Sequence, residues 1–413
     1  MHFDLTIHQS SLTGLRDTLG KKYLFMANSL QAKIATTAFA FRGYNTTNLG
    51  RTPELLAHPT YGRTVRRYLQ RGSEVCAGIV GRPVDLVEIV SRRDEPGLDR
   101  YAEAVTLIMA ADLAQVELLE EFHGVRFREA KLAYGYSLGE LSAVACAGVL
   151  SLAEVLSVPV AMAADCAALA NDVTMGVLFS RGPAIAELEV NRLCRLITSE
   201  GHGTIAVSSI LTPNTYLLLG QNETIGRFKA EMHKFLPDPA HIKINPERWP
   251  PLHTPIVRQR HIPDRAAVMM EVMKGGLQPP CPPILSMVTG ERSYDDYHAR
   301  DILRDWIDHP QRLWDAVYET LSTGITSVIH VGPGPNVIPA TFKRLSENVV
   351  QQTSNRTFGR MGMRAAAGLA RRPWLSAILP SRAALLRAPL IKHIILEDWL
   401  LENSPVAEME NVT

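Results

Sequence analysis

Lys131-Leu132-Ala133-Tyr134-Gly135-Tyr136-Ser137-Leu138-Gly139-Glu140-Leu141-Ser142-Ala143 is the stretch on which the reading of this chain turns. It contains Gly135-x-Ser137-x-Gly139, the pattern of a nucleophile elbow. A serine at the tip of a sharp strand-to-helix turn takes a strained backbone, and glycines two residues to either side remove the Cβ atoms that would clash there. The flanks agree. Residues 131–134 are short and mostly apolar, as a buried strand should be, and residues 138–149 are Ala-rich, as a helix packed on a sheet should be. Such a helix begins just after Ser137, so its N-terminus favours negative charge developing at that point.

Working outward, residues 34–41 read as a second buried strand, ended by Arg42-Gly43-Tyr44-Asn45, where Gly and Asn signal a tight turn. A loop at such a strand end often carries a second oxyanion donor in α/β enzymes. Residues 53–119 read as mainly helical. Residues 152–171 form another Ala-rich helix, in which Pro159 should kink or break the chain near Val158. Between 173 and 249 the texture changes to strand–helix–strand–helix, the pattern of a small ferredoxin-like α+β subdomain. Strand candidates return at 283–288 and 326–331.

The expected architecture is therefore α/β: a large α/β-hydrolase-like domain with a parallel sheet from residues 34–172 and 250–346, plus the inserted subdomain at 173–249. Residues 1–33 read as an N-terminal extension and 347–413 as a basic, partly helical C-terminal one. From residue 356 to 393 there are seven arginines and one lysine without Asp or Glu, read either as a solvated extension or as a docking surface for an anionic partner.

Composition narrows the classes. The 413 residues are 46% hydrophobic and 21% charged, enough to bury a real core, and a net charge of +1 gives no sign of an extended nucleic-acid surface. The five cysteines are widely spaced without a CxxC pair, so neither a disulfide framework nor a zinc site is indicated. His202 and His330 lack paired spacing, and no metal site is expected. No run of about 18 uncharged apolar residues suggests a membrane span. The first residues lack the apolar core of a secretory signal, so a cytoplasmic location is expected.

At this point the chain resembles the malonyl-CoA:acyl carrier protein transacylases and the acyltransferase domains of polyketide and fatty acid synthases. Four stretches in the same order carry the resemblance, over about residues 35–345. Ala38-Phe39-Ala40-Phe41-Arg42-Gly43-Tyr44 stands where the family has an FPGQG loop, and Gly135-Tyr136-Ser137-Leu138-Gly139-Glu140 where it has GHSxGE. Pro251-Leu252-His253-Thr254-Pro255 stands where it has a P-S-H motif. Residues 283–290 and Val331-Gly332-Pro333-Gly334 are similar to its NVTG and VGPG stretches. Ser137 and His253 lie 116 residues apart, close to the family's spacing.

The resemblance implies ping-pong acyl transfer from acyl-CoA to a phosphopantetheinylated acyl carrier protein. Acyl-CoA is a substrate, and no cofactor is permanently bound. Ser137 would be the nucleophile and His253 the base and then the acid, since a serine hydroxyl needs a base within hydrogen-bond reach. The family orients that histidine through a backbone carbonyl, and the matching position lies near Trp306. The N–H groups of Leu138 and Tyr44 would form the oxyanion hole.

Three departures bear on the substrate. Tyr136 replaces the family's histidine before the serine, and Arg42 and Tyr44 replace the proline and glutamine of its loop. Malonyl-selective members hold the substrate carboxylate with an arginine 25 residues after the serine, a position occupied here by Met162. No Arg or Lys occurs between residues 132 and 180. Methionine offers a flexible apolar wall in place of charge-assisted hydrogen bonds. Met162, Tyr136 and Arg42 are therefore the expected substrate-binding residues, with either an uncharged acyl group against Met162, or Met162 merely in the core and a carboxylate held by another residue such as Arg42. A carrier-protein acyl hydrolase and a non-catalytic scaffold remain as alternatives to the transferase.

Overall fold

A computed structural model describes residues 30–181, 184–354 and 381–405. The chain begins with β1 (Thr37–Phe41), α1 (Gly62–Val80), α2 (Tyr101–His123), β2 (Leu132–Gly135), α3 (Leu138–Cys146), α4 (Leu152–Ala161) and α5 (Ala163–Leu169). The small subdomain follows as β3 (Val173–Ser180), α6 (Glu187–Ser199), β4 (Ile205–Thr212), β5 (Thr215–Gln221), α7 (Thr224–Glu231) and β6 (Ala240–Asn245). The return comprises β7 (Ile284–Leu285), α8 (Leu313–Ser322), β8 (Ser327–Val331), α9 (Val337–Ser354), β9 (Lys392–Ile395) and α10 (Leu396–Glu402).

The large sheet has the order β7-β2-β1-β8-β9 and is parallel throughout. Its central strand, β1, is buried on both faces, which is why it reads as an unbroken apolar run. Phe39 and Phe41 point into the core shared with α2 and α3, where both rings meet Phe127 edge-on. Ala38 and Ala40 point to the other face, against Leu132, Tyr134, Leu313 and Phe342. The small sheet has the order β4-β5-β3-β6 with antiparallel pairs. With β3-α6-β4-β5-α7-β6 connectivity, that is the expected ferredoxin-like arrangement.

Three expectations need correction. The first strand begins at Thr37, because residues Ile34–Thr36 close into a 3₁₀ turn. Pro159 sits inside α4, and the helix is interrupted at Met162 instead of Val158. Proline lacks the N–H for Val155 O, yet the ladder closes again through Met162 N–H to Val158 O at 3.1 Å. The C-terminal segment is not simply an extension, since Lys392–Ile395 pairs with β8 as the fifth strand of the large sheet. Arg387 anchors it by donating to the carbonyls of Leu321 and Ile325. Most of the basic run lies outside the described residues, as do residues 1–29. Within the described residues, the stretch Leu152–Asp172 is apolar and long enough to cross a membrane, and more than half of its most apolar window is buried in this core.

Candidate active site

Ser137 occupies the turn between β2 and α3 with φ 54° and ψ −120°, a conformation that costs about 1–3 kcal/mol for a residue with a side chain. The glycines make the turn possible. A Cβ on Gly135 would overlap the Gly139 carbonyl, and one on Gly139 would overlap the Phe41 carbonyl of the neighbouring strand. Both main-chain polar groups of Ser137 are tied down. Its N–H donates to Gln311 Oε1 at 2.9 Å, and its carbonyl accepts from Trp306 Nε1 and from Glu140 N, each at 2.9 Å.

His253 arrives from the loop after β6. Its own N–H donates to Ile307 O at 2.8 Å, and its ring stands edge-on to Trp306 with centroids 5.1 Å apart. Nδ1 lies 2.7 Å from Trp306 O, and Nε2 lies 2.7 Å from Ser137 Oγ. A carbonyl can only accept, so Nδ1 carries the proton and Nε2 is left with its lone pair toward the serine hydroxyl. Burial pushes the imidazole pKa down to about 4, against the opposing effects of the Trp306 carbonyl and Asp308. The ring is therefore neutral at pH 7, the state a general base requires.

Among the described residues, no protein acceptor engages the N–H of Leu138, at the start of α3, or that of Tyr44, in the loop after β1. Gly43 lets that loop approach the elbow, since a Cβ there would stand 2.7 Å from Tyr136 O. Glu140 holds the elbow from the other side. It is buried, and it accepts from Met287 N at 3.1 Å and Tyr294 OH at 3.0 Å, with its carboxyl pushed up to about 7 by burial.

Ser137 and His253 open into a cleft of about 230 Å³ between the two sheets. Met175 from β3 and Leu217 and Leu219 from β5 supply one wall, and Tyr101, Tyr136 and Trp249 supply others. None of the lining residues is Arg, Lys, Asp or Glu. No group of three or more His, Cys, Asp or Glu side chains able to hold a metal exists among the described residues.

The structure is similar to those of FabD from Acinetobacter baumannii (21% identity, 75% of this chain and 91% of that chain, TM-score 0.61) and malonyl-CoA:acyl carrier protein transacylase from Xanthomonas oryzae (23%, 75% and 91%, TM-score 0.60). It is also similar to the acyltransferase domain from module 8 of the salinomycin polyketide synthase (21%, 75% and 67%, TM-score 0.59). This is the malonyl-CoA:acyl carrier protein transacylase fold. No family profile and no curated protein matches the sequence.

Within that fold the structure brings together Ser137, His253, Trp306, Leu138, Tyr44 and Tyr136, and separates two other residues expected at the site. Met162 is buried in the core at the break between α4 and α5, and it does not line the cleft. Arg42 is fully buried and is not among the residues that line the cleft, and its guanidinium is committed to other partners. It donates to Gly43 O at 2.7 Å, Pro333 O at 2.5 Å and Asn48 Oδ1 at 2.9 Å. Burial lowers its pKa to about 10, partly offset by Asp112, Glu397 and Glu95. Arg42 thus staples the loop after β1 to the loop after β8, and its substrate-binding role is withdrawn. Gln311, Met175 and Leu217 escaped the sequence reading. They carry no motif, and only the folding of the small sheet over the elbow reveals them.

Proposed function

We propose that the protein is an acyltransferase that moves an uncharged acyl group from acyl-CoA to the pantetheine thiol of an acyl carrier protein, through an acyl-Ser137 intermediate. The reading rests on one arrangement: Ser137 Oγ lies 2.7 Å from a neutral His253 Nε2 whose far nitrogen is fixed on Trp306 O. His253 Nε2 takes the hydroxyl proton as Ser137 Oγ attacks the thioester carbonyl. The N–H groups of Leu138 and Tyr44 receive the charge that develops on the carbonyl oxygen. Collapse breaks the carbon–sulfur bond, and the CoA thiolate leaves with the proton from His253. The carrier thiol then repeats the cycle in reverse, giving its proton to His253 and taking the acyl group from Ser137. Similarity to transacylases and a polyketide synthase domain supports a place in fatty acid or polyketide synthesis.

The cleft supports the choice of acyl group. A malonyl carboxylate would enter a site with no Arg or Lys on its walls, and an unpaired buried charge is costly. Intact-protein mass spectrometry after incubation with a panel of acyl-CoAs tests both parts. An acyl adduct on Ser137 that is discharged by holo-carrier protein is the expected result. A dominant malonyl adduct would overturn the uncharged assignment. Free acid formed at the same rate without carrier would identify a hydrolase, and no adduct with any donor would leave a scaffold.

A further inference from the structure

We infer that Gln311 is the positioning residue that holds the nucleophile in its reactive conformation by tying it to the small sheet. The inference rests on the reading of Ser137 as the acylated residue. Gln311 is fully buried between the two sheets. Its main chain extends the free edge of β4: Gln311 N donates to Ser208 O at 2.9 Å, and Gln311 O accepts from Ile210 N at 2.8 Å and Ser209 Oγ at 3.1 Å. Its side chain reaches to the elbow, where Oε1 accepts from Ser137 N at 2.9 Å.

That bond settles which way the amide points. Ser137 N–H is only a donor, so the oxygen faces it and Nε2 lies on the His253 side, 3.3 Å from Nδ1. Nδ1 already carries a proton, so Nε2 offers it no acceptor, and Trp306 O remains the partner that fixes the tautomer. Two consequences follow for acyl transfer. Ser137 N–H is spent on Gln311, which leaves the oxyanion to Leu138 and Tyr44. The strained φ of Ser137 is held on its N–H side by a single side chain, and that side chain is carried by the same residue that binds β4.

The test compares Gln311→Glu, which keeps an acceptor oxygen for Ser137 N–H, with Gln311→Met, an apolar residue of similar size. A residue that merely fills space predicts that Met is tolerated at least as well as a buried carboxylate. Positioning predicts the reverse order. Two readouts are used on the full chain: the rate of Ser137 labelling by a fluorophosphonate probe, and hydrogen exchange of the Ser137 amide by NMR on protein carrying ¹⁵N-serine. Q311M is expected to lower the labelling rate about tenfold or more and to speed amide exchange, because small misplacements of a reacting group are expensive. Q311E is expected to stay close to wild type in both. If Q311M does not fold, Gln311→Asn, polar but too short to reach, replaces it with the same expectation. Labelling of Q311M at or above the Q311E rate with a protected Ser137 amide overturns the inference. A wild-type protein that never reacts with the probe counts against the acyl-serine reading, and the exchange readout still decides the role of Gln311.

Discussion

Acidifying the first half-reaction separates a buried general base from an ordinary histidine. His253 is moved from 6.5 to about 4 by desolvation, which corresponds to about 3 kcal/mol between its two protonation states. At about pH 5.5 an unperturbed imidazole is some 90% protonated and its rate has fallen about tenfold, whereas His253 remains almost entirely neutral. The direction is unambiguous, because the base works only when neutral and activity is lost as pH falls through its folded pKa. Quench-flow with mass detection of acyl-Ser137 isolates this step from the carrier thiol, whose ionisation would otherwise shape the profile. The expected rate is flat from about pH 8 to about pH 5, with a midpoint near 4. A midpoint near 6.5 would refute the placement of His253 in a desolvated site beside Trp306.

The same shift couples to folding. The unfolded chain binds the proton that folded His253 refuses, so this residue's contribution of about 3 kcal/mol is lost as pH falls from 6.5 to about 4. His123 and His393, also lowered to about 4, act in the same sense. Asp112 and Glu140 oppose them. Burial raises both to about 7, so the stability they contribute is lost as pH rises toward 7. For that reason the acylation rate reports on His253 more directly than a melting curve does.

Two substitutions test the rest of the site. Gly43→Ala puts a methyl group 2.7 Å from Tyr136 O and 3.1 Å from Ser137 Cβ; the displaced Tyr44 N–H should lower acylation about 100-fold, as loss of an oxyanion donor does, and an unchanged rate would remove Tyr44 from the oxyanion hole. Met162→Ala should cost about 2–5 kcal/mol in denaturant unfolding with no change in acyl preference, whereas Leu217→Arg, on the cleft wall, should raise the ratio of malonyl to acetyl adduct on Ser137; a preference that follows Met162 instead would return that residue to the substrate site.

Much of the site was legible because its chemistry is local. The spacing of Gly135, Ser137 and Gly139 encodes a turn whose sterics involve only its own neighbours and the adjoining strand. His253 and Trp306 were legible through the order of the motifs around them. Met162 shows the limit of chain spacing: it stands at the break between α4 and α5 among core side chains, and the residues that line the cleft do not include it. Arg42 misled because a lone arginine beside a loop reads as a ligand, while its partners, the carbonyls of Pro333 and Thr47, are visible only after folding.

The sequence by itself pointed to the elbow at Ser137, the parallel sheet beneath it and the ferredoxin-like insertion, because periodicity and glycine placement are properties of contiguous residues, and the order of its motifs singled out His253. Only the tertiary structure decided which side chains wall the cleft, that Lys392–Ile395 completes the sheet, and that Gln311 reaches Ser137 across 174 residues of chain. Those depend on the directions of side chains from separate elements, and no spacing along the chain specifies where two such directions converge.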